Sequence, residues 1–116
     1  KERLWRVRTE NSIDLTVANG ENTNDVHGLG ADEAEAILSY GVDVITGGNH
    51  TFSRKDIYSL LENSSAVIRP CNYPPTTPGN GYTFLNVNGY RVLVINVLGT
   101  AFMEPLRYDI IFFKKT

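Results

Sequence analysis

One cysteine, one methionine and one tryptophan are all that 116 residues hold of those three types. The lone thiol, Cys71, cannot close an intramolecular disulfide or build a multi-cysteine zinc site, and its solitude fits a reducing compartment. It reads as a small buried residue rather than a nucleophile. Long apolar runs are missing too, since none approaches the roughly 20 residues that a membrane span needs. There is no surplus of one charge: 11 Lys and Arg face 13 Asp and Glu, for a net charge of −2. That balance offers no basic patch to hold nucleic acid by electrostatics. No Gly-x-x-x-x-Gly-Lys phosphate loop is present, which excludes a P-loop protein. The chain does not open on Met. Its start, KERLWRVRTENS, has no apolar stretch behind the charges, so no secretion signal is expected.

What is present is an ordinary globular composition, 41% apolar and 21% charged. It suffices for one small domain, residues 1–116, with a single core. KERLWRVR reads as the end of a helix, with Leu4 and Val7 sharing a face. IDLTVA (13–18) reads as a strand, and Ala18 breaks its alternation as if both faces were buried. A polar, Gly-rich loop follows over 19–30. ADEAEAILSYG (31–41) reads as a helix, with acidic residues in its first turn, Ala34, Ile37 and Leu38 inward, and Gly41 at its end. VDVIT (42–46) is a β-branched strand. SRKDIYSLLEN (53–63) is a second helix, with Ser53 and Asp56 spaced as a capping box and Ile57, Leu60 and Leu61 as its inner stripe. AVIR is a short third strand.

The segment 70–81 holds four prolines and two glycines and cannot be regular. YTFLNV and YRVLVINV flank Asn88-Gly89, a type I′ hairpin signal. The pattern β-α-β-α-β plus a hairpin predicts an α/β fold. Its sheet is parallel, and the hairpin extends it in antiparallel fashion. Residues 107–116, RYDIIFFKKT, form a tail of different character.

In open α/β sheets, sites lie beyond the carboxyl ends of the strands. Here the first strand runs into Asn19-Gly20-Glu21-Asn22 and the second into Gly47-Gly48-Asn49-His50. One crossover separates them, so both ends fall on one edge and Glu21, Asn22, Asn49 and His50 can converge. Each pair alone is what a turn would use. Two such pairs at successive strand ends are less easily explained by turns. A carboxylate can bridge two cations, an amide oxygen adds a neutral ligand, and an imidazole can bind a metal or protonate a leaving group. The glycines before each pair let the backbone turn sharply. His27, in the 19–30 loop, is not taken among these candidates.

With RPCNYPPTTPGNGY and VLVINVLGTAFMEPL, the stretches VANGEN and GVDVITGGNHTF make residues 10 to 106 resemble the YmdB-like family of bacterial metallophosphoesterases. The resemblance implies part of a calcineurin-like phosphoesterase sandwich with a two-metal centre at the strand ends. It implies hydrolysis of phosphodiesters, cyclic nucleotides of the 2′,3′ type among them, by a bacterial cytoplasmic enzyme. On the matching positions, Glu21 would bridge the metals and Asn22 would lie beside metals and phosphate. Asn49 would bind one metal, and His50 would contact the phosphate and protonate the leaving oxygen. The metals would be two divalent ions among iron, manganese, zinc and magnesium. The family's first strand, with its Gly-Asp motif, and its later His-x-His pair have no counterpart in the sequence. The expectation is therefore a fragment with an incomplete site, which exposes sheet edges and core surface and is either marginally stable or oligomerises through those edges. Small phosphodiesters, and neither membranes nor a stable nucleic-acid complex, are the expected partners. The competing expectation is an inactive chain, or a module that binds a nucleotide or phosphate without turnover.

Overall fold

The computed structural model describes residues 2–23, 28–99 and 101. His27 and the 107–116 tail lie outside them. Helix α1 (Glu2–Glu10) leads into strand β1 (Val17–Asn19). Then come α2 (Ala31–Ser39), β2 (Val44–Thr46), α3 (Ile57–Asn63) and β3 (Val67–Ile68). Strands β4 (Tyr82–Val87) and β5 (Tyr90–Ile95) complete the described elements. β1, β2 and β3 form one parallel sheet in that order, with Val17 opposite Val44 and Ile45 opposite Val67. Each parallel step needs a helical crossover, and α2 and α3 supply them.

The core forms where those helices lie on the sheet. Leu29, Ala34, Ile45, Ile57, Leu61 and Val67 are buried together, with Ile37, Leu38, Val42, Phe52, Tyr58 and Leu60 around them. Successive residues Val44-Ile45 and Val67-Ile68 are all buried, so β2 and β3 are covered on both faces. β1 does not follow them. It begins at Val17 rather than Ile13, and Val17 is 45% exposed. The expectation of a strand buried on both faces is corrected here: Val17 and Asn19 are exposed with Ala18 half-buried between them, so one face of β1 lies open. Upstream of it, the Asp43 carboxylate accepts the Thr16 N–H at 2.8 Å and pairs with Arg8 at 2.9 Å. That contact ties α1 to the start of β2.

Two further expectations change. The capping box does not form: α3 starts at Ile57, and Asp56 at its N-cap makes no side-chain cap bond. The Asp56 carboxylate instead accepts the Ala31 N–H at 3.2 Å and pairs with Arg54 at 3.0 Å. A tertiary partner at the head of α2, with neighbouring Arg54, takes the place of the cap. The hairpin is a two-stranded sheet of its own rather than an extension of the first. Its turn is as expected, with Asn88 at φ 48° and Gly89 at φ 84°, the doubly positive geometry of type I′. The irregular segment 69–81 joins the two sheets. The Arg69 N–H donates to Asn80 O, the Cys71 N–H to Asn96 O and the Asn96 N–H to Gly81 O. Buried Arg69 spends its guanidinium on the carbonyls of Pro70, Thr77 and Pro78. That is how a segment with four prolines is held without a ladder. Cys71 is half-buried rather than buried.

Candidate functional site

β1 and β2 end side by side, and the chain after each turns toward the other. Past β1, the Gly20 N–H still pairs with Thr46 O at 2.9 Å. A side chain there would press on Ile45 at 2.7 Å, so only glycine passes this close. The Glu21 N–H then donates to the Asn19 side-chain oxygen at 2.9 Å, an Asx-turn that aims the next residue off the strand axis. Glu21 O accepts the Gly28 N–H at 3.0 Å and closes the loop. Gly28 has φ +88° and sits against the His50 carbonyl, which a Cβ would meet at 2.7 Å. The loop after β1 is thereby packed on the loop after β2.

The second loop is built from overlapping turns. The Thr51 N–H and hydroxyl both donate to Gly48 O, at 3.2 and 2.7 Å, and the Ser53 N–H donates to His50 O at 3.0 Å. Its first residues meet the carboxylate of Glu21, whose Oε1 accepts the Asn49 N–H at 3.0 Å. A Cβ on Gly48 would overlap the same carboxyl group, carbon and both oxygens. Glu21 therefore lies flat on the Gly48-Asn49 backbone. The Asn49 side-chain nitrogen lies 3.4 Å from His50 Nε2. A neutral ring that accepts there carries its proton on Nδ1. Glu21, Asn49 and His50 are joined by these contacts. Asn22, exposed in the turn after Glu21, stands outside that chain of contacts.

Two residues that the sequence did not nominate stand beside them. The Tyr73 hydroxyl donates to Asn49 O at 3.4 Å, and its ring packs edge-on against Phe52, 5.3 Å between centroids. Burial, and then the charge of Glu21, push the pKa of the Tyr73 phenol above the ordinary tyrosine range. Asn96, just past β5, donates its side-chain amide to Gly47 O at 2.8 Å and Ile68 O at 3.4 Å. No local signal marks either residue, because each acts across a long chain separation. Below Glu21 lies an apolar cavity of about 10 Å³, lined by Leu29, Ile57, Leu61 and Val67 among others. It has room for about one water, so it is a packing void and any substrate must approach from outside. What the site can offer chemically is one carboxylate, neutral amides and one imidazole, converging at the carboxyl edge of a parallel sheet.

The family described as YmdB-like protein matches residues 1–114. The chain belongs to the YmdB-like family. A relative named 2′,3′-cyclic-nucleotide 2′-phosphodiesterase, from Bacillus subtilis strain 168, is 37% identical over 108 residues. That match takes in 91% of the chain and 40% of the relative. A crystal structure of a novel phosphatase from Mycoplasma pneumoniae superposes with a TM-score of 0.77 at 28% identity, covering 93% of the chain and 39% of that structure. A crystal structure of a hypothetical protein from Thermus thermophilus superposes with a TM-score of 0.75 at 42% identity, over 82% of the chain and 37% of that structure. The YmdB-like chain thus spans about 40% of the length of the curated relatives it matches. Its mixed α/β fold, a three-stranded parallel sheet with an antiparallel hairpin, is the fold shared with that phosphatase.

Among the described residues, no group of three or more His, Cys, Asp and Glu is placed to hold a metal ion. Glu21, Asn49 and His50 supply at most one flank of a divalent-ion site. The described residues do not by themselves fit a pair of cations.

Proposed function

We propose that this YmdB-like chain carries one flank of a phosphoesterase site that hydrolyses small phosphodiesters, with 2′,3′-cyclic nucleotides as the substrate class. The observation that carries the reading is the contact between Glu21 Oε1 and the Asn49 N–H, which joins the two strand ends at one point. The relatives' names, phosphodiesterase and phosphatase, support it. In this reading Glu21 would help to hold two divalent ions, iron, manganese, zinc or magnesium, with Asn22 and Asn49 as neutral donors beside it. Bound there, such ions would supply Lewis acidity toward a phosphoryl oxygen. A pair of cations would need further donors besides these.

The chain's own residues have distinct tasks. The Asn49 side chain orients the His50 imidazole, and His50 delivers a proton to the leaving oxygen. The Glu21 carboxylate, already holding the Asn49 N–H, fixes the height of the loop over the strand ends. Tyr73 walls one side of that loop through Asn49 O.

The test is calorimetric titration of the chain with Mn²⁺, together with hydrolysis of bis-p-nitrophenyl phosphate, with Glu21→Gln as control. A single flank is expected to take up Mn²⁺ weakly and to turn substrate over slowly, with both lost in Glu21→Gln; tight uptake of two ions would mean that the site is completed on the chain. Phosphate or nucleotide binding that is indifferent to metal and to the substitution would replace this reading with a binding module.

A further inference from the structure

Asn96 is the one residue among those described whose side chain reaches from the second sheet to the carboxyl ends of both β2 and β3. Its amide donates to Gly47 O at 2.8 Å and to Ile68 O at 3.4 Å. Its backbone is held separately. The Asn96 N–H goes to Gly81 O, and Asn96 O accepts the Cys71 N–H at 2.8 Å. One step further, Asn72 and Leu98 exchange two bonds: the Asn72 amide donates to Leu98 O at 2.8 Å, and the Leu98 N–H donates to the Asn72 side-chain oxygen at 3.1 Å. The 96–98 segment is thus fastened to 71–72 whether or not the Asn96 side chain takes part. What that side chain adds is a hold on Gly47, the first residue of the loop that carries Asn49 and His50.

The loop needs such a hold. Gly47 and Gly48 are consecutive glycines with the widest backbone freedom of any pair. The Gly47 N–H is fixed by Ile68 O at 2.9 Å, and the Asn96 amide fixes its carbonyl. With both its peptide groups pinned, Gly47 delivers Gly48 to the Glu21 carboxylate and Asn49 to its bond with Oε1. An Asn suits the position because one NH₂ can serve two carbonyls at once. Asp would set an acceptor against acceptors.

We infer that Asn96 is a positioning residue of the site: its carboxamide fixes the Gly47-Gly48 backbone and so sets where Asn49 and His50 stand relative to Glu21. This rests on the phosphoesterase reading and deepens it by naming the residue that keeps its two strand ends in register with the hairpin.

The test combines two readouts on the 116-residue chain, for Asn96→Asp, Asn96→Ala and, as a control, Asn72→Ala. Asn72→Ala loosens the same segment without touching Gly47. In the Asn96 variants, amide hydrogen exchange over 47–53 is expected to quicken about tenfold while β4 and β5 keep their protection. In Asn72→Ala the 47–53 amides are expected to exchange as in the parent. Turnover of bis-p-nitrophenyl phosphate should fall in kcat in the Asn96 variants with KM nearly unchanged. Equal effects from Asn72→Ala and the Asn96 variants would overturn the assignment, as would unaltered exchange over 47–53. A further measurement needs no variant: the Asn96 side-chain NH₂ protons should exchange more slowly than those of exposed Asn88, and equal rates would also overturn it. If the parent and Glu21→Gln both fail to turn over substrate, the phosphoesterase reading falls. The exchange comparison then judges the hold on the loop by itself.

Discussion

At the scale of single residues, Gly48 exposes the logic of the site. Its lack of a side chain is what lets the Glu21 carboxylate lie against the backbone and accept the Asn49 N–H. Gly48→Ala is expected to push that carboxylate off the loop. The obstacle is the far end of a flexible side chain, so the fold should survive with little change in Tm. The Asn49 amide proton resonance should then move upfield as its charged acceptor leaves, and hydrolysis should drop by about a hundredfold. An unmoved Asn49 resonance would show that the carboxylate keeps its bond despite the added methyl. Glu21, Asn49 and His50 were legible in the sequence because strand ends and glycine pairs are local signals. Tyr73 and Asn96 were not. Their bonds to Asn49 and Gly47 cross 24 and 49 residues of chain, and nothing in PCNYPP or VINVLG announces a distant carbonyl.

Among elements, the heads of α2 and α3 are locked together. Asp56 receives the Ala31 N–H of α2 and the guanidinium of Arg54, which also reaches Glu33 at 3.3 Å. The Ala31 N–H first, and Arg54 second, hold the Asp56 carboxyl below its ordinary range. A depressed carboxylate contributes stability that is present above its unfolded-state pKa and is lost as pH falls through the folded value. Thermal unfolding between about pH 6 and pH 2 should therefore show an acid-dependent loss that is smaller in Asp56→Asn than in the parent. Parallel pH profiles for the two proteins would contradict this.

The same lock explains what the sequence could and could not tell about α3. The stripe Ile57, Leu60, Leu61 gave the helix and its inward face. The spacing of Ser53 and Asp56 suggested a local cap, but the aspartate had a partner 25 residues away. Parallel pairing of β1, β2 and β3 was legible from the alternation of strand and helix. The separate hairpin was not, because the same two strand patterns serve an extended sheet and a detached one. β1 failed for a related reason: Ala18 suits a covered strand, yet which strand faces are covered is settled only once the helices lie on the sheet.

For the whole molecule, the described residues leave one large apolar face open. On the hairpin, Tyr82 lies opposite Ile95 and Phe84 opposite Leu93, so all four share a side. They are 54%, 53%, 49% and 45% exposed in that order, with the Arg91 guanidinium 4.3 Å above the Phe84 ring. Contiguous apolar surface of this kind is uncommon on a solitary chain. Sedimentation velocity should show association that grows with concentration and weakens in Leu93→Lys. A monomer at every concentration would argue that the face tolerates water. No helix among the described residues is long and apolar enough to cross a membrane.

The bond from Asn96 to Gly47 also bears on the order of events in time. β4 and β5 are joined by a two-residue turn, and such hairpins close in about 1–10 µs. β1, β2 and β3 must each wait for a helical crossover, and non-local pairing is slow. The 49-residue span between Asn96 and Gly47 can close only after both units exist. On these timescales β4 and β5 are expected to pair before Glu21, Asn49 and His50 meet, and pulsed hydrogen exchange during refolding, with the hairpin amides protected ahead of 47–53, checks that order.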